Sequence, residues 1–348
     1  MKVRFIELPE PLREGGLEKA AADMARYLPQ AGIEVVRGEQ SHAGLEGFDL
    51  VHFHGLWSPA HYRIGREARR TGLPVVISPH GMLEPWAWKH RKWKKWPYFH
   101  LFEKRRLRAA DALLATAAEE AANLQGFFPA SRIEVLPLGI EPEARPDYSA
   151  AREHLGWEAE ERVLLYLSRI HPKKGLRELL GCLFELPDDR VRRQRIRLVV
   201  VGDGPAEYVR ECRTLAAGLR DRVRIDWISP QWGEKKWPYL QGADLFCLPT
   251  YSENFGLVVL EAGMVGTPVF TTTGTPWKPI EEAGFAWVPD PDPARYRDVL
   301  EAFLAKPVGE LRALRTPFAE WTRERYAWPS LVGRYAAFYQ NLQEVTSA

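Results

Sequence analysis

Short apolar runs alternate with amphipathic stretches along the whole chain, and this alternation predicts its secondary structure. Brief runs rich in Val, Ile and Leu are typical of buried β-strands, whereas stretches such as 16–28 and 59–70 carry apolar residues at helical spacing. Strands that alternate with helices predict a parallel, doubly wound α/β sheet. The predicted strands of the first half are residues 3–8, 33–36, 50–54, 74–78, 112–115 and 133–136.

The polar, proline-containing segment 141–150 predicts a linker, after which the same rhythm restarts. A chain of 348 residues exceeds what one hydrophobic core usually supports. We therefore predict two doubly wound α/β domains, an N-terminal one over residues 1–145 and a C-terminal one over residues 146–328, followed by a helix over residues 329–348. The predicted strands of the second domain are residues 162–167, 196–201, 223–228, 243–248, 268–272 and 285–288.

The composition is that of a folded protein that is neither membrane-spanning nor a polycation. Hydrophobic residues make up 45% and charged residues 27% of the chain, and the net charge is only +2. No long uncharged apolar run is present, and Arg4 and Glu7 interrupt the first one, which therefore predicts a strand rather than a signal peptide. Cys182, Cys212 and Cys247 are too scattered for a zinc motif or a disulfide framework, so we expect a cytoplasmic protein.

The residues that directly follow each strand are the most informative ones, because ligands of open α/β sheets bind beyond the carboxyl ends of the strands. In the first domain these residues are Gly15 and Gly16, His52 and His54, and His80 with Gly81. In the second domain they are Arg169, residues 202–204 and residues 250–256.

The segment 249–262, PTYSENFGLVVLEA, places two glutamates around a predicted helix start. Gly256 lets a ligand approach the backbone closely, and the free N–H groups of the first helical turn favour an anion such as a diphosphate. Glu261 lies in an otherwise apolar run, where a carboxylate requires a partner such as the paired hydroxyls of a ribose. The alternative places Glu261 on a solvated helix face and makes Glu253 a plain loop residue, but the apolar run favours ligand binding.

Two cations follow the first strand of the second domain, in the sequence SRIHPKKG. Arg169 and Lys174 flank a turn before a predicted helix, and cations at the mouth of a sheet suit a diphosphate and its growing charge as it departs. The alternative is that these side chains are merely solvated. Lys173 could also replace Lys174 as the phosphate ligand.

Glycines mark two further strand-to-helix turns. In VVVGDGP, residues 199–205, a dinucleotide fingerprint fails because Glu207 stands where a third glycine is required, so we predict a tight turn near a ligand. Gly15 and Gly16 precede an Ala-rich helix. They either line a backbone contact for an anion or a sugar, or supply a helix start that needs a positive φ.

His52, His54 and His80 lie at the ends of neighbouring predicted strands. A lone histidine is more often structural than catalytic, but histidines at neighbouring strand ends that face one cleft favour a functional role. A metal site is disfavoured, because no Asp or Cys joins the three histidines at a suggestive spacing.

Segment 85–108, PWAWKHRKWKKWPYFHLFEKRRLR, combines nine Lys or Arg residues with seven aromatic residues and one Glu. Basic residues interleaved with Trp and Tyr suit the headgroup region of an anionic membrane, or an anionic acceptor. A solvated basic face with the Trp side chains packed inward is the close alternative. The low net charge of the chain argues against nucleic acid.

Together these segments resemble the retaining glycosyltransferase family four, whose GT-B fold consists of two Rossmann-like domains that face each other across a cleft. The resemblance covers nearly the whole chain, and the combination of segments is specific although each piece alone is not. The continuation GMVGTPVFTTTGTPW is similar to family members among bacterial polysaccharide and lipopolysaccharide enzymes. The matching segments are the early Gly-Gly loop, SPHG at 78–81, VLPLGI at 135–140, SRIHPKKG at 168–175, VVGDGP at 200–205 and the E-x7-E element at 253–261.

The resemblance implies that the C-terminal domain binds the nucleotide sugar. It implies that Glu261 bonds the ribose, that Glu253 lies near the transferred sugar, and that Arg169 and Lys174 bind the diphosphate. The further donor-binding residues that it implies are Trp227 and Ile228 near the base, and the backbone of Asn254, Phe255, Gly256 and Leu257 near sugar hydroxyls and phosphate.

For the N-terminal domain, the resemblance implies acceptor binding. Gly15 and Gly16 would line the cleft, and His80 would approach the reacting sugar, which places it with Glu253, Arg169 and Lys174 in the implied catalytic set. The final helix would cross back to this domain.

We therefore predict an enzyme that transfers a hexose from a UDP- or GDP-linked sugar to a hydroxyl of a glycan or glycolipid acceptor, with retention of configuration, in cell-envelope polysaccharide biosynthesis. The resemblance implies no metal and no cofactor beyond the donor. Segment 85–108 predicts a peripheral position on the inner face of the cell membrane. A non-catalytic nucleotide-sugar-binding protein and a sugar-nucleotide epimerase of the same architecture are the alternatives, and a dehydrogenase is the most remote one.

Overall fold

The chain forms two compact units, of which the first combines Met1–Glu141 with Arg325–Ala348 and the second is Pro142–Glu324. The predicted domain limits, residues 145 and 328, each lie four residues beyond these divisions. The computed structural model describes residues 1–9, 16–38, 44–89, 92–141 and 147–347.

The first unit contains a parallel sheet with the strand order β2-β1-β3-β4-β5-β6. Its strands are β1 (Lys2–Ile6), β2 (Glu34–Gly38), β3 (Leu50–His54), β4 (Val75–Ser78), β5 (Ala112–Ala115) and β6 (Ile133–Val135). The order of the strands reverses between β1 and β3, which pair in parallel from Val3 opposite Leu50. This reversal is the switch point at which open α/β sheets bind ligands.

Helices cover both faces of this sheet, because successive side chains of each strand point to opposite faces. Leu50 packs in one core with Met24, Tyr335 and Tyr339, whereas the next residue, Val51, packs in a second core. The helices of this unit are α1 (Gly16–Tyr27), α2 (Pro59–Arg70), α3 (Pro85–Lys89), α4 (Lys92–Tyr98), α5 (Lys104–Arg108), α6 (Ala118–Phe127) and the last helix of the chain, α17 (Trp328–Ser347), together with a 3-10 turn at Leu28–Ala31 and a π-helical turn at Phe99–Glu103.

The last helix belongs to the core of the first unit. Trp328 and Tyr339 are fully buried, and the Trp328 ring stacks on Tyr27 with 5.9 Å between ring centroids. The chain reaches this helix through a short parallel bridge in which Ile140 N donates to Tyr326 O at 2.8 Å. Aromatic side chains of this size stabilise a core by about 1.5–3 kcal/mol each.

The second unit repeats the doubly wound pattern with the strand order β12-β11-β10-β7-β8-β9. Its strands are β7 (Arg162–Leu167), β8 (Ile196–Val201), β9 (Arg224–Ile228), β10 (Leu245–Cys247), β11 (Val269–Phe270) and β12 (Ala286–Trp287). The switch point lies between β7 and β10, which pair in parallel. The loops that follow these two strands therefore occupy the position where such a sheet binds its ligand.

The helices of the second unit pack against both faces of its sheet. They are α7 (Tyr148–Leu155), α8 (Leu176–Glu185), α9 (Asp188–Arg193), α10 (Ala206–Ala217), α11 (Trp237–Gly242), α12 (Leu257–Met264), α13 (Lys278–Glu282), α14 (Pro293–Ala305), α15 (Val308–Ala313) and α16 (Arg315–Tyr326), with 3-10 turns at Pro172–Lys174 and Gly233–Lys236.

The two predicted Rossmann-like folds are confirmed, and each of the twelve predicted strands is present. The last three strands are shorter than predicted, since 243–248 gives Leu245–Cys247, 268–272 gives Val269–Phe270 and 285–288 gives Ala286–Trp287. Pro268 contributes only its carbonyl, which accepts from Phe246 N at 2.9 Å, because proline has no N–H for the ladder. Within the described ranges, no helix is long and apolar enough to span a membrane.

Candidate functional site

The loop after β10 is held by the loops that follow the two neighbouring strands. Lys173 O accepts from Tyr251 N at 2.8 Å and from Thr250 Oγ1 at 3.0 Å. On the other side, Glu253 N donates to Gly274 O at 2.7 Å, beyond β11. Hydrogen bonds to both sides fix the backbone that carries Glu253, so the loop is a rigid platform at the switch point.

Lys174 and Glu253 form an ion pair on this platform. Lys174 Nζ contacts Glu253 Oε1, and their side chains are only 13% and 15% exposed. Gly175, which follows with φ +73°, lets the two loops touch, because a Cβ there would lie 2.0 Å from Pro249 O. The structure therefore places Lys174 beside Glu253, whereas Lys173 contributes its carbonyl to the loop contact.

Helix α12 begins directly after this loop. Gly256 adopts a left-handed conformation with φ 73° and no side chain caps the helix, so no side chain occupies the N–H groups at its start. The helix is buried along most of its length, including Val259, Leu260 and Glu261. An apolar helix whose free amides face the carboxyl edge of the sheet provides a site for an anion.

Glu261 is buried rather than solvated, being 4% exposed. The alternative of a solvated helix face is therefore wrong. Its Oε1 accepts from Lys236 Nζ at 2.6 Å, and Lys236 ends the 3-10 turn after β9. Lys236 is not predictable from the sequence, since it is 25 residues from Glu261 and nothing in GEKKW singles it out. The carboxylate thus already has a cationic partner.

A second missed residue, Trp277, supports the glycine before α12. Its Nε1 donates to Phe255 O at 2.6 Å, and its ring meets the Phe255 ring edge to face at 4.9 Å. Both side chains are buried, so Phe255 contributes to packing, whereas the flanking Asn254 and Leu257 are half-buried. Trp277 lies in the sequence TPW that follows β11, and this sequence does not by itself predict the contact between Trp277 and Phe255.

The GDGP turn after β8 is the tight turn that the sequence predicts. A Cβ on Gly202 would lie 2.0 Å from Ser168 O, and one on Gly204 would lie 1.8 Å from Ile170 O. Ile170 N also donates to Asp203 O at 2.8 Å. The glycines are therefore needed for contact with the β7 loop, in which Arg169 is exposed.

Trp227 and Ile228 lie at the end of β9, the edge strand on the other side of β8. The Trp227 ring packs against the core of the second unit and lies 4.8 Å from the Arg213 guanidinium of α10. Its side chain is therefore engaged with the helix layer. Its predicted role beside the base stays a prediction.

Three histidines gather at the carboxyl edge of the first unit's sheet. His52 is buried, with Nδ1 2.8 Å from Tyr339 Oη and Nε2 2.7 Å from Ser78 Oγ. His54 Nδ1 lies 3.1 Å from His80 Nε2. Both nitrogens of His52 bond inside the core, which indicates a structural role, whereas His54 and His80 form a separate pair.

His80 is held in an unusual backbone conformation, with φ 52°. Gly81 N donates to Glu120 Oε1 at 2.6 Å, and Glu120 Oε2 accepts from Thr116 N at 2.8 Å. Buried Glu120 thus anchors the turn that presents His80. Left-handed conformations of non-glycine residues cost free energy and cluster at functional sites.

Burial keeps these histidines uncharged. Desolvation lowers the pKa of His80 to about 4 and that of His61, on α2, to about 3. It also lowers the pKa values of His52 and His54 well below the usual range, and neighbouring histidines add to this effect. At neutral pH the edge of the first unit therefore offers polar but uncharged groups.

Gly16 is the first residue of α1, and Gly15 lies outside the described residues. Gly16 is exposed and has no positive φ, and a Cβ there would meet no described atom within 4 Å. The proposed need for a positive φ at the helix start is therefore wrong for Gly16. The alternative, a contact with a ligand, stays a prediction.

Segment 85–108 is aromatic on its surface as well as in its interior. Trp88 packs inward at 5.0 Å from the Phe99 ring, whereas Trp93 is 74% exposed. The other large hydrophobic side chains of this segment that face solvent are Trp86, Trp96, Leu101 and Phe102. The alternative in which the Trp side chains pack inward therefore fails for most of them.

One ion pair of this segment is structural. Arg106 and Glu103 are buried 2.9 Å apart, and Glu103 Oε1 also accepts from Trp57 N at 2.9 Å. These groups anchor the segment to the first unit. In the part of the chain that the structure describes, no group of three or more His, Cys, Asp or Glu side chains is arranged to hold a metal ion.

Comparison with known proteins identifies the family. Residues 147–321, just over half of the chain, match the family described as glycosyl transferases group 1, and residues 40–144 match glycosyltransferase family 4. The chain belongs to glycosyltransferase family four. As a member of this family it is a glycosyltransferase, which confirms the predicted class of enzyme.

Curated relatives carry the same class of activity. A D-inositol 3-phosphate glycosyltransferase of Frankia alni is 31% identical over 300 residues, which cover 82% of this chain and 72% of the relative. An enzyme of the same name from Xylanimonas cellulosilytica is also 31% identical, over 94% of this chain and 79% of its own.

Solved structures share the fold of this glycosyltransferase. Sucrose-phosphate synthase from Thermosynechococcus elongatus aligns with a TM-score of 0.79 and 19% identity over 99% of both chains. Alr3699/HepE from Anabaena, solved with UDP and glucose, aligns with a TM-score of 0.71 and 19% identity over 98% of this chain and 99% of its own. At this identity the similarity establishes the fold alone.

Proposed function

We propose that this glycosyltransferase moves a hexose from a nucleotide diphosphate sugar to an acceptor hydroxyl with retention of configuration. The observation that carries the proposal is the group of charges at the switch point of the second unit. Lys174 with Glu253 and the start of α12 after Gly256 lie at the carboxyl edge of this sheet, and the ion pair of Glu261 with Lys236 joins the middle of α12 to the turn after β9.

The diphosphate is the part of the donor that these cations suit best. Lys174, Arg169 and the first turn of α12 would meet its charge, which grows as the bond between the sugar and the diphosphate breaks. Glu253 holds Lys174 near this position before a ligand arrives. This contact favours Lys174 over Lys173 as the phosphate ligand.

Glu261 would accept hydrogen bonds from the ribose hydroxyls with the oxygen that Lys236 leaves available. Lys236 Nζ bonds Oε1, so the ion pair lowers the cost of burying the carboxylate and still leaves Oε2 as an acceptor. The base would lie beyond Ile228, and the Asn254–Leu257 backbone would meet the sugar and phosphate.

The predicted donors are UDP- and GDP-linked hexoses, and we favour UDP. The solved Alr3699/HepE structures contain UDP, UDP-glucose, or UDP with glucose. His80, together with Gly15 and Gly16, would approach the sugar or line its path. Transfer would proceed without a metal ion, and turnover that persists in excess chelator tests this expectation.

For the acceptor we propose a glycan on a lipid carrier or a glycolipid, at the inner face of the cell membrane. Trp86, Trp93 and Trp96 are exposed on a segment of high positive charge, a combination that suits the headgroup region of an anionic bilayer. Such an acceptor fits cell-envelope polysaccharide biosynthesis.

A second candidate acceptor is a small phosphorylated polyol. Its support is the name of the curated relatives, D-inositol 3-phosphate glycosyltransferase. The positive charge of segment 85–108 suits an anionic membrane surface and a phosphate group alike, but only a lipid-linked acceptor accounts for the exposed tryptophans.

Donor screening by thermal shift tests the first step of this proposal. A preferred donor raises Tm by mass action, so we expect UDP-hexoses to raise it more than GDP-hexoses do. Equal and negligible shifts for both series would contradict the proposed donor site. Product analysis by NMR then gives the configuration at the transferred carbon.

Vesicle flotation separates the two acceptors. We expect the protein to float with vesicles rich in anionic lipid at low salt and to remain in solution with neutral vesicles. A variant with Trp93 and Trp96 changed to Ser should lose flotation while its donor thermal shift persists. Transfer to D-inositol 3-phosphate without any flotation would support the second candidate.

A further inference from the structure

A row of three histidine rings lies at the carboxyl edge of the first unit's sheet, and its middle member, His54, has no part in the proposed function. Its ring centroid lies 4.2 Å from that of His52 and 5.3 Å from that of His80. His54 is fully buried, and its Nδ1 lies 3.1 Å from His80 Nε2. It therefore touches the one histidine that the proposed function places near substrate.

The two bonded rings share one proton at their contact. Burial holds the pKa of His80 at about 4 and that of His54 well below its usual range, so both are neutral at pH 7. A neutral imidazole has one N–H donor and one acceptor nitrogen. Either His54 Nδ1 donates to His80 Nε2, or His80 Nε2 donates to His54 Nδ1.

The far nitrogen of His54 decides between these arrangements. Its Nε2 is buried and has no hydrogen-bond partner among the residues that the structure describes. If His80 donated, the proton of His54 would lie on this Nε2 as a buried N–H without an acceptor. If His54 donates, Nε2 is only a buried lone pair, and an unpaired acceptor is tolerated better than an unpaired donor.

We propose that His54 is a positioning residue that donates its Nδ1–H to His80 Nε2 and thereby fixes His80 as the tautomer with its proton on Nδ1. His80 Nδ1 makes no hydrogen bond with the described part of the chain. A neutral His80 thus presents an N–H donor to an oxygen of the donor sugar. This inference rests on the proposed function, in which His80 approaches that sugar.

The position of this proton matters because the backbone fixes the position of the His80 ring. His80 has φ 52°, and the next residue, Gly81, has φ 73° and is tied to buried Glu120. The turn therefore holds the imidazole in one place, and the ring contact with His54 is nearly parallel, at 20° between planes. With the ring fixed, the tautomer decides whether His80 offers the sugar a donor or an acceptor.

The tautomer is measured directly by two-bond ¹H–¹⁵N correlation spectra of the full-length protein with ¹⁵N-labelled histidine. The His80 signals are assigned by their loss in His80→Asn. We expect a protonated Nδ1 and an unprotonated Nε2 for His80, and the same tautomer for His54. A His80 protonated on Nε2 would overturn the proposal. This readout needs no donor or turnover, so it separates the tautomer from failure of the proposed function.

Two variants test what the proton does. His54→Leu removes the Nδ1–H group that bonds His80, and His80 should then lose its single tautomer. We expect kcat to fall about 10- to 100-fold and the KM for the nucleotide sugar to change little. His54→Asn keeps an N–H near the position of Nδ1 and should restore the tautomer and most of kcat. Restoration in Asn but not Leu is an outcome that packing alone does not give.

His61→Phe is the matched control. His61 is an equally buried neutral histidine of the same unit, and its described hydrogen bond goes to Glu7 O at 3.3 Å. This variant should change Tm and leave the His80 tautomer and kcat as in the wild type. Equal losses of kcat in His54→Leu and His61→Phe, with an unchanged His80 tautomer, would contradict the positioning role.

Discussion

The carboxyl edges of the two sheets differ in how they keep polar groups available to a ligand. In the second unit the edge consists of ion pairs, Lys174 with Glu253 and Lys236 with Glu261. In the first unit it consists of histidines that burial keeps neutral, His54 and His80 among them. Both edges lie at the switch point of a doubly wound sheet, so the difference arises from side chains rather than topology.

The difference shows how each kind of polar group can be buried stably when no ligand is bound. A buried charge requires an opposite charge, and each lysine here is paired with a carboxylate. A buried imidazole requires no counter-charge, because desolvation removes its proton. Charged groups suit the nucleotide diphosphate, and neutral donors and acceptors suit a sugar.

The largest effect is expected at the ion pair of the second edge. Changing Lys174 to Met keeps the length of the side chain and removes its charge, so kcat/KM should fall about 100- to 1,000-fold in donor-consumption assays. Lys173→Met is the matched control, with the same chemical change one residue away. A greater loss in Lys173→Met would reverse the assignment between the two lysines.

Glu261→Ala should produce the next largest effect, a rise in donor KM of about 10- to 100-fold, since it removes hydrogen bonds between the ribose and a charged acceptor. Lys236→Met breaks the same ion pair and keeps the carboxylate. It should lower Tm and raise donor KM much less. If both variants lower Tm while donor KM stays unchanged, the pair is structural and the ribose assignment fails.

Much of the fold could be predicted from the sequence. The strand Leu50–His54 and the strand Arg162–Leu167 have the predicted limits, because each is a short, mostly apolar run that is buried along nearly its whole length. Strands β10 to β12 were predicted too long. Their apolar residues continue beyond the ladder, and hydrophobic patterning reports burial whereas a strand also needs N–H groups in register, which Pro268 lacks.

The candidate site was predictable where one segment carries it and not where two segments meet. Glu253, Gly256 and Glu261 stand on a single loop and helix, so the predicted helix start and the apolar run around Glu261 were sufficient to single out this segment. Lys236 and Trp277 contact that segment from loops after β9 and β11, and no local pattern reveals such contacts. For the same reason the sequence pointed to His80 but not to its bond with His54.

Acid should weaken the first unit through its neutral histidines. In the unfolded chain His61 takes up a proton when the pH falls below its usual pKa of 6.5, whereas burial lowers its pKa in the folded protein to about 3. Burial likewise lowers the pKa of His80 in the folded protein, to about 4. The unfolded state therefore binds more protons between these values, so stability falls as pH drops from about 6.5 toward 4. Tm measured against pH should decline across this window.

The variant His61→Phe sharpens this prediction, because it removes one titrating group while filling the same space. The decline of Tm between pH 6.5 and 4 should become shallower in the variant than in the wild type, whatever its Tm at pH 7. An unchanged slope would show that acid acts elsewhere, for example on the carboxylates that pair with lysines in the second unit.

The smallest expected effect compares one glycine from each edge. Gly16→Ala should raise the free energy of unfolding by up to about 1 kcal/mol, because alanine favours a helix and a Cβ there meets no described atom within 4 Å. Gly175→Ala should destabilise, since its Cβ would lie 2.0 Å from Pro249 O. Denaturant unfolding measures both changes in stability.

The KM for the donor in the Gly16→Ala variant then tests the proposed role of Gly16. If Gly16 lines the donor path as proposed, Gly16→Ala raises donor KM in a more stable protein, a combination that damage to the fold cannot produce. An unchanged KM would leave Gly16 as a plain helix start and restrict donor contacts in the first unit to other residues.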